Sequence, residues 1–180
     1  MASIGHVIVG IAGARLLATP QTSLCERLAL SMGLSVLSLL PDADVIAFWL
    51  RIPYAAPWGH RGASHSLLLA LLLGSLCGVW LGRWQGRVLR PLIVCSTVAC
   101  SHGLLDALTD GGLGVALLWP WDHTRIFFPL RPLPVAPIGL RLISQRGLWV
   151  LLRETLYFLP LLLWGLWPPT QRSPRRQSRD

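Results

Sequence analysis

The sequence predicts an all-α polytopic membrane protein: a helix bundle of about five spans, with an interfacial loop between spans four and five. Three observations predict it. Of 180 residues, 53% are hydrophobic and only 13% charged, where a soluble domain carries roughly a quarter charged residues. The mean hydropathy is +0.55. The apolar residues are gathered into runs approaching the ~20 residues that cross a bilayer, and the segments between them together with the C-terminal tail hold most of the arginines.

The net charge of +8 comes from arginine alone, because the chain contains no lysine. Those arginines cluster in short loops and a tail, the pattern of a membrane-surface protein rather than of a nucleic-acid binder. Membrane lipids are therefore the expected neighbours, and no nucleic acid is expected. Cys25, Cys77, Cys95 and Cys100 have no paired CxxC spacing, so packing thiols are expected rather than a disulfide or zinc framework. The first five residues lack the basic region of a cleavable signal peptide.

The first apolar segment covers residues 4–18. It is short for a span but rich in small residues (Gly5, Gly10, Gly13, Ala14) that let helices approach closely. Residues 19–27 read as a polar connection. Residues 28–40 form the second apolar segment, which ends at Pro41-Asp42-Ala43-Asp44 because the residue before a proline is biased out of the α region. Residues 45–58, punctuated by Pro53 and Pro57, read as an interfacial loop with Trp49, Tyr54 and Trp58 at headgroup level. The segment 59–66 then introduces the clearest span, 67–82, with Ser64 as the expected N-cap. Residues 83–90 are a basic loop, and Pro91 opens the fourth span, which fades at Gly111, Gly112 and Gly114. Residues 119–147 are proline-rich and amphipathic, and 148–167 is the last span. One membrane-embedded domain is expected over 1–169, followed by a disordered basic tail over 170–180.

The arginine bias places the 83–90 loop and the tail on the cytoplasmic side, with the N-terminus outside. With five spans, His6, Asp42, Asp44, His60, His65, His102 and Asp106 then lie at one membrane face, the outer one. Flipping the molecule would move this set to the other side without scattering it.

Ionisable groups inside membrane segments are costly and face a cavity or one another. His102 and Asp106 lie one helical turn apart, a spacing that suits both a shared metal and an interhelical hydrogen-bonded pair. Thr109 and Asp110 are expected on the same helix face, orienting a liganding histidine. Asp42 and Asp44 repel each other unless a cation or proton intervenes, although a solvated loop also accommodates them. His6 fits either a ligand or a packed interhelical donor. Together these groups suit zinc or manganese, as one ion or two. Arg61, Ser64 and Ser66 could grip an anion at the start of span three, with a headgroup anchor as the alternative for Arg61. Arg125 either closes the site from above or anchors at the interface. Glu154 faces the bundle interior or pairs with Arg153.

In chain order these motifs are GHxxxG (5–10), LLPDAD (39–44), HRGASHS (60–66), SHGLLDALTDGG (101–112) and LWPWDHTR (118–125). The order resembles the membrane-bound metal-dependent hydrolase family, the YdjM-like, LexA-regulated inner-membrane proteins of bacteria, over roughly the first two-thirds of the chain. Ser64 stands where that family often has threonine. The resemblance implies a bacterial inner-membrane location. It also implies metal ligands at His6, Asp42, Asp44, His65, His102 and Asp106, and catalytic roles for Asp44, His60, Arg61 and Arg125. The expected activity is hydrolysis of a phosphoester, on a lipid-linked or membrane-proximal substrate, by water activated at a divalent metal. The alternative is a small non-enzymatic transporter or a structural membrane protein with a polar interhelical cluster. HExxH and GxSG are both absent, against the known zinc and rhomboid intramembrane proteases. The lack of lysine argues against a phosphatidic-acid-type phosphatase. No sequence feature assigns an oligomeric state.

Overall fold

The computed structural model describes residues 3–137 and 139–169. Five long helices, α1 (Ser3–Leu17), α2 (Leu24–Leu39), α4 (Leu67–Gln85), α5 (Leu89–Ala107) and α6 (Gln145–Leu166), are joined by the four-residue α3 (Ile46–Trp49) and three short 3-10 turns. Only two isolated β-bridges, Thr109 with Leu133 and Val115 with Ile126, interrupt the helical plan among the described residues. The predicted tail, 170–180, lies outside them.

Three helical stretches are long and apolar enough to cross a membrane: Leu24–Trp49, Leu67–Gln85 and Gln145–Leu166. Five were expected. α1 has 15 residues and rises about 22 Å at 1.5 Å per residue, short of the ~30 Å hydrocarbon core. α5 has 19 residues, but its serines, His102 and Asp106 dilute its apolar character. The first long stretch runs on through Pro41, because the chain tightens into a 3-10 turn over Leu40–Val45 and resumes as α3. The segment expected to be loop from residue 45 is thus partly helical.

Helix ends differ from the sequence expectation where capping chemistry was misassigned. α2 begins at Leu24, inside the expected polar connection, because Ser23 and Glu26 form a capping box. Ser23 Oγ accepts from the Glu26 amide at 3.3 Å, and Glu26 Oε2 accepts from the Ser23 amide at 2.7 Å, satisfying two orphan donors at once. The N-cap of α4 is Ser66, not Ser64: its hydroxyl accepts from the Leu69 amide at 3.3 Å. α4 continues to Gln85 and stops where Gly86 takes a left-handed φ of 65°, a conformation that favours glycine. α6 starts at Gln145 under a Ser144 cap. α5 ends at Ala107, so Thr109 and Asp110 lie beyond the helix rather than on its face.

α1 packs on α2, α6 and α5, whereas α4 packs chiefly on α5. The α4–α5 contact is made by Gly74, Gly78 and Gly82, all buried. A Cβ on Gly74 would stand 2.6 Å from Ser96 Cα, and one on Gly78 would stand 2.5 Å from Leu92 Cα. Small residues at every fourth position let these backbones touch. The main apolar core lies among α1, α2, α4 and α5, around Leu34, Leu37, Val94 and Val98. Outward-facing Leu72, Leu76 and Trp80 of α4 are more than half exposed, as lipid-facing positions are. All four cysteines are free.

Candidate metal centre

Successive long helices lead the chain back and forth, so one end of the bundle collects the start of α1, the end of α2, the start of α4 and the end of α5. Each delivers one or more ionisable groups. α1 brings His6, the 3-10 turn after α2 brings Asp42 and Asp44, the turn before α4 brings His65, and α5 brings His102 and Asp106. His6, His60, Arg61, His65, His102 and Asp106 are at most 2% exposed.

Four of these residues surround one point. Ligand atoms of Asp42, His65, His102 and Asp106 all lie within 4.8 Å of one another. His65 Nε2 is 3.5 Å from Asp42 Oδ1 and 3.5 Å from Asp106 Oδ2, and His102 Nε2 is 3.6 Å from Asp42 Oδ1. Ligands held ~2.0–2.2 Å from a tetrahedral ion stand about 3.3–3.6 Å apart, so the spacing fits. Both Asp42 oxygens, His65 Nε2 and His102 Nε2 are buried without a hydrogen-bond partner among the described residues, an arrangement that a cation would satisfy. The other ring nitrogens are committed elsewhere. His102 Nδ1 donates to the Ser38 carbonyl at 2.7 Å, and His65 Nδ1 lies 3.1 Å from Asp44 Oδ2. These contacts fix each tautomer so that Nε2 faces the shared point. His6 stacks on His102 with ring centroids 4.0 Å apart, and its Nε2 is 3.4 Å from Asp106 Oδ1.

A second set, Asp42, Asp44, His60 and His65, also converges within 4.8 Å. Asp44 is already heavily used in it. Its Oδ1 accepts from His60 Nδ1 at 2.5 Å, and its Oδ2 accepts from the Arg61 amide at 3.0 Å and from Ser64 Oγ at 2.6 Å. Ser64, expected to cap a helix, instead serves this carboxylate. Burial disfavours charge on His65, but the carboxylates of Asp106, Asp42 and Asp44 outweigh it and push its pKa up to about 10. The same field that holds a proton there attracts a metal cation.

Arg61 lies inside the protein rather than at a headgroup. Its Nε is 3.0 Å from Asp106 Oδ2, and its Nη1 donates to Thr109 Oγ1 at 3.0 Å and to the Gly111 carbonyl at 2.8 Å. Its backbone is left-handed, with φ of 62°, which costs about 1 kcal/mol or more for a residue with a Cβ. The conformation is held by its amide on Asp44 and by its carbonyl accepting from the Ala116 amide at 3.1 Å. Thr109 Oγ1 in turn donates to the Asp106 carbonyl at 2.7 Å. Arg125 directs its guanidinium at backbone: Nη1 donates to the His60 carbonyl at 2.8 Å and Nη2 to the Tyr54 carbonyl at 2.7 Å. It thereby staples the loop that carries His60 and Arg61. A cavity of about 440 Å³, lined by Tyr54, His60, Arg61, Gly112 and Arg141 among others, opens beside this loop.

Two expected roles do not survive. Asp110 is exposed, and its Oδ1 accepts from the Val135 amide at 2.7 Å, so it pins a loop rather than orienting a histidine. Glu154 does not pair with Arg153, whose Nη2 donates to the Tyr157 hydroxyl at 2.7 Å. Glu154 is fully buried, and its Oε2 accepts from the Ile4 amide at 3.0 Å, two residues before His6. No motif marks that contact, because its partner is backbone.

The fold and its buried histidine–aspartate cluster define a helical membrane protein with a candidate metal centre at one end of the bundle. A family profile described as YdjM inner membrane protein matches residues 1–171, and the chain belongs to that family. It is 39% identical over 137 residues to the inner membrane protein YbcI of Escherichia coli (strain K12), covering 73% of this chain and 79% of that one. No solved structure matches.

Proposed function

We propose that this protein is a metal-dependent hydrolase of the inner membrane that cleaves a phosphoester on a lipid-linked or membrane-proximal substrate. The observation that carries the proposal is the set of Asp42, His65, His102 and Asp106, whose ligand atoms converge while Ser38 and Asp44 tie back the two imidazoles. Three carboxylates, Asp42, Asp44 and Asp106, stand near one guanidinium, that of Arg61, which pairs with Asp106, so a divalent ion such as zinc or manganese would help to neutralise the cluster. Such an ion supplies Lewis acidity and acidifies water. Asp42, His65, His102 and Asp106 would hold it, with His6 alongside. Asp44 is excluded from this set by the donors it already accepts; a second ion would have to displace them.

The remaining residues divide the chemistry. The Asp44 carboxylate fixes the His60 tautomer so that Nε2 is the working nitrogen, the arrangement of a general acid–base. Arg61 Nη2, buried without a hydrogen-bond partner, donates to a phosphoryl oxygen and stabilises the charge that grows on it. Arg125 positions His60 and Arg61 through the backbone. In this reading this end of the bundle faces the periplasm and the C-terminus lies in the cytoplasm; the arginine distribution supports that orientation.

The test is elemental analysis of detergent-purified protein together with phosphodiester hydrolysis. Wild type is expected to hold one or two divalent ions per chain, and His102→Ala to lose metal and activity together. Wild-type protein without stoichiometric metal would overturn the proposal.

A further inference from the structure

The opposite end of the bundle carries a second feature, built from other residues. There the end of α1, the start of α2, the end of α4 and the start of α5 meet. α2 packs on α1 and α5, and α4 packs on α5, but α2 and α4 make no substantial contact with each other. The gap between them is a cavity of about 820 Å³. Its walls include Leu30, Leu34 and Leu37 on α2 and Cys77, Trp80 and Leu81 on α4, and Arg87 and Arg90 stand at its rim. Those two arginines also line a neighbouring cavity of about 830 Å³, where Arg15 joins them. An apolar trough between membrane helices thus runs into a basin of three guanidinium groups.

The charges in the basin are not internally satisfied. Neither the Arg87 nor the Arg90 side chain makes a hydrogen bond or ion pair with a described residue, and both are exposed. Arg15 donates to the Trp167 carbonyl and lies 4.8 Å from the Trp164 ring centroid, so it keeps donors to spare. Glu26 also lines the trough, but its carboxylate is engaged by the Ser23 amide and hydroxyl, both at 2.7 Å.

We propose that this trough binds an anionic phospholipid, with an acyl chain between α2 and α4 and the phosphate in the basin of Arg15, Arg87 and Arg90. In a bilayer, hydrocarbon is what fills an apolar cleft between spans. Guanidinium forks at its rim match phosphate oxygens geometrically and electrostatically. An anionic headgroup gains from three positive charges what a zwitterionic one does not. The site shares no residue with the histidine–aspartate cluster, and the inference stands independently of the hydrolase reading.

Gly33 provides the decisive probe. It lies on the trough wall, and a Cβ added there would meet nothing within 4 Å. Gly33→Phe therefore starts from an unobstructed Cβ and is expected to project its ring into the trough, in a helix that gains propensity by losing glycine. Native mass spectrometry of the purified full chain, titrated with phosphatidylglycerol or phosphatidylcholine of identical chains, reads the affinities. Wild type is expected to hold phosphatidylglycerol about tenfold or more tighter than phosphatidylcholine, on the scale of two to three arginines near a headgroup. Arg87→Gln with Arg90→Gln removes that preference, and Gly33→Phe weakens both lipids. Melting curves in lipid-free detergent confirm that the variants fold as wild type does. Equal affinity for the two headgroups overturns the proposal, as does a preference that survives the arginine substitutions or unchanged binding in Gly33→Phe. Glycerol phosphate, which has no acyl chain, is expected to bind far more weakly; affinity equal to that of the lipid would assign a free-phosphate site instead.

Discussion

Asp44→Asn separates the two converging ligand sets. Asparagine keeps the shape of the side chain but turns one acceptor oxygen into a donor. Oδ2 serves the Arg61 amide, Ser64 Oγ and His65 Nδ1, at 3.0, 2.6 and 3.1 Å. The amide carbonyl is expected to stay on that side, where it satisfies most donors. The new NH2 then faces His60 Nδ1, which lies 2.5 Å from Oδ1. The imidazole must move its proton to Nε2 to accept this bond, and it loses the working nitrogen. One charge-assisted hydrogen bond is forfeited, about 2 kcal/mol, or roughly 4–8 °C in melting temperature for a chain of this size. Hydrolysis falls by about 10²–10⁴-fold, the scale of a general acid–base contribution. Metal content stays at the wild-type level, because His65, His102, Asp42 and Asp106 are untouched. Asp42→Asn by contrast loses the ion. Elemental analysis and a turnover assay on the two variants check the pair. Equal loss of metal in both would refute the assignment of Asp44 as an orienting group.

Three further outcomes follow from the geometry. The metal-free protein is expected to lose stability as pH rises: the His65 pKa is raised to about 10, so its proton contributes fully below about 6.5 and is lost between about 6.5 and 10. Thermal melts with chelator should fall over that window, while metal-loaded samples should not, and apparent metal affinity should rise with pH. Gly78→Val should drive α4 off α5, since a Cβ there would stand 2.5 Å from Leu92 Cα; a loss of about 1–3 kcal/mol or more is expected, and unchanged melting would contradict the packing. Arg61→Gln should cost about 1–3 kcal/mol in metal-free protein by taking the guanidinium from the Asp106 carboxylate, which keeps His6 and His65 beside it, and less once a divalent ion is loaded, which paired melts with and without metal would show.

The histidines and aspartates were legible because an ionisable group in an apolar run has few structural excuses. His6, Asp42, His65, His102 and Asp106 stand out in the sequence, and the structure brings them together. What lay around them was harder to read. Ser64 and Ser66 both precede Leu67 and both carry a hydroxyl; only the folding-back of Asp44 onto Ser64 decides which one caps α4. The Ser23-x-x-Glu26 capping signature was present, but it was absorbed into a polar connection. Gly74, Gly78 and Gly82 spell out a close helix contact, yet their partner face on α5 is not marked in the sequence. Arg61 with Thr109 and Glu154 with the Ile4 amide join residues 48 and 150 positions apart. Local pattern carries no information about pairings of that reach, least of all when one partner is backbone.

α1 is the shortest of the five long helices, and its start lies at the end of the bundle that holds the cluster. At about 22 Å, α1 falls roughly 8 Å short of the hydrocarbon thickness. Its opening turn is capped by Glu154 from α6, whose Oε2 accepts from the Ile4 amide. The chain that carries His60 and Arg61 is not regular helix: the turns of 53–62 and the segment 109–128 are tied together by Arg125 and by the Arg61 carbonyl. Irregular backbone is tolerated at membrane depth only where protein or a cavity satisfies it. Here Arg125 alone caps carbonyls of Tyr54, Ala56 and His60. Glu154→Ala, which removes the cap on α1, is therefore expected to disturb His6 more than the four groups around the candidate ion, which depend on α2, α4, α5 and the turns beside them for their positions.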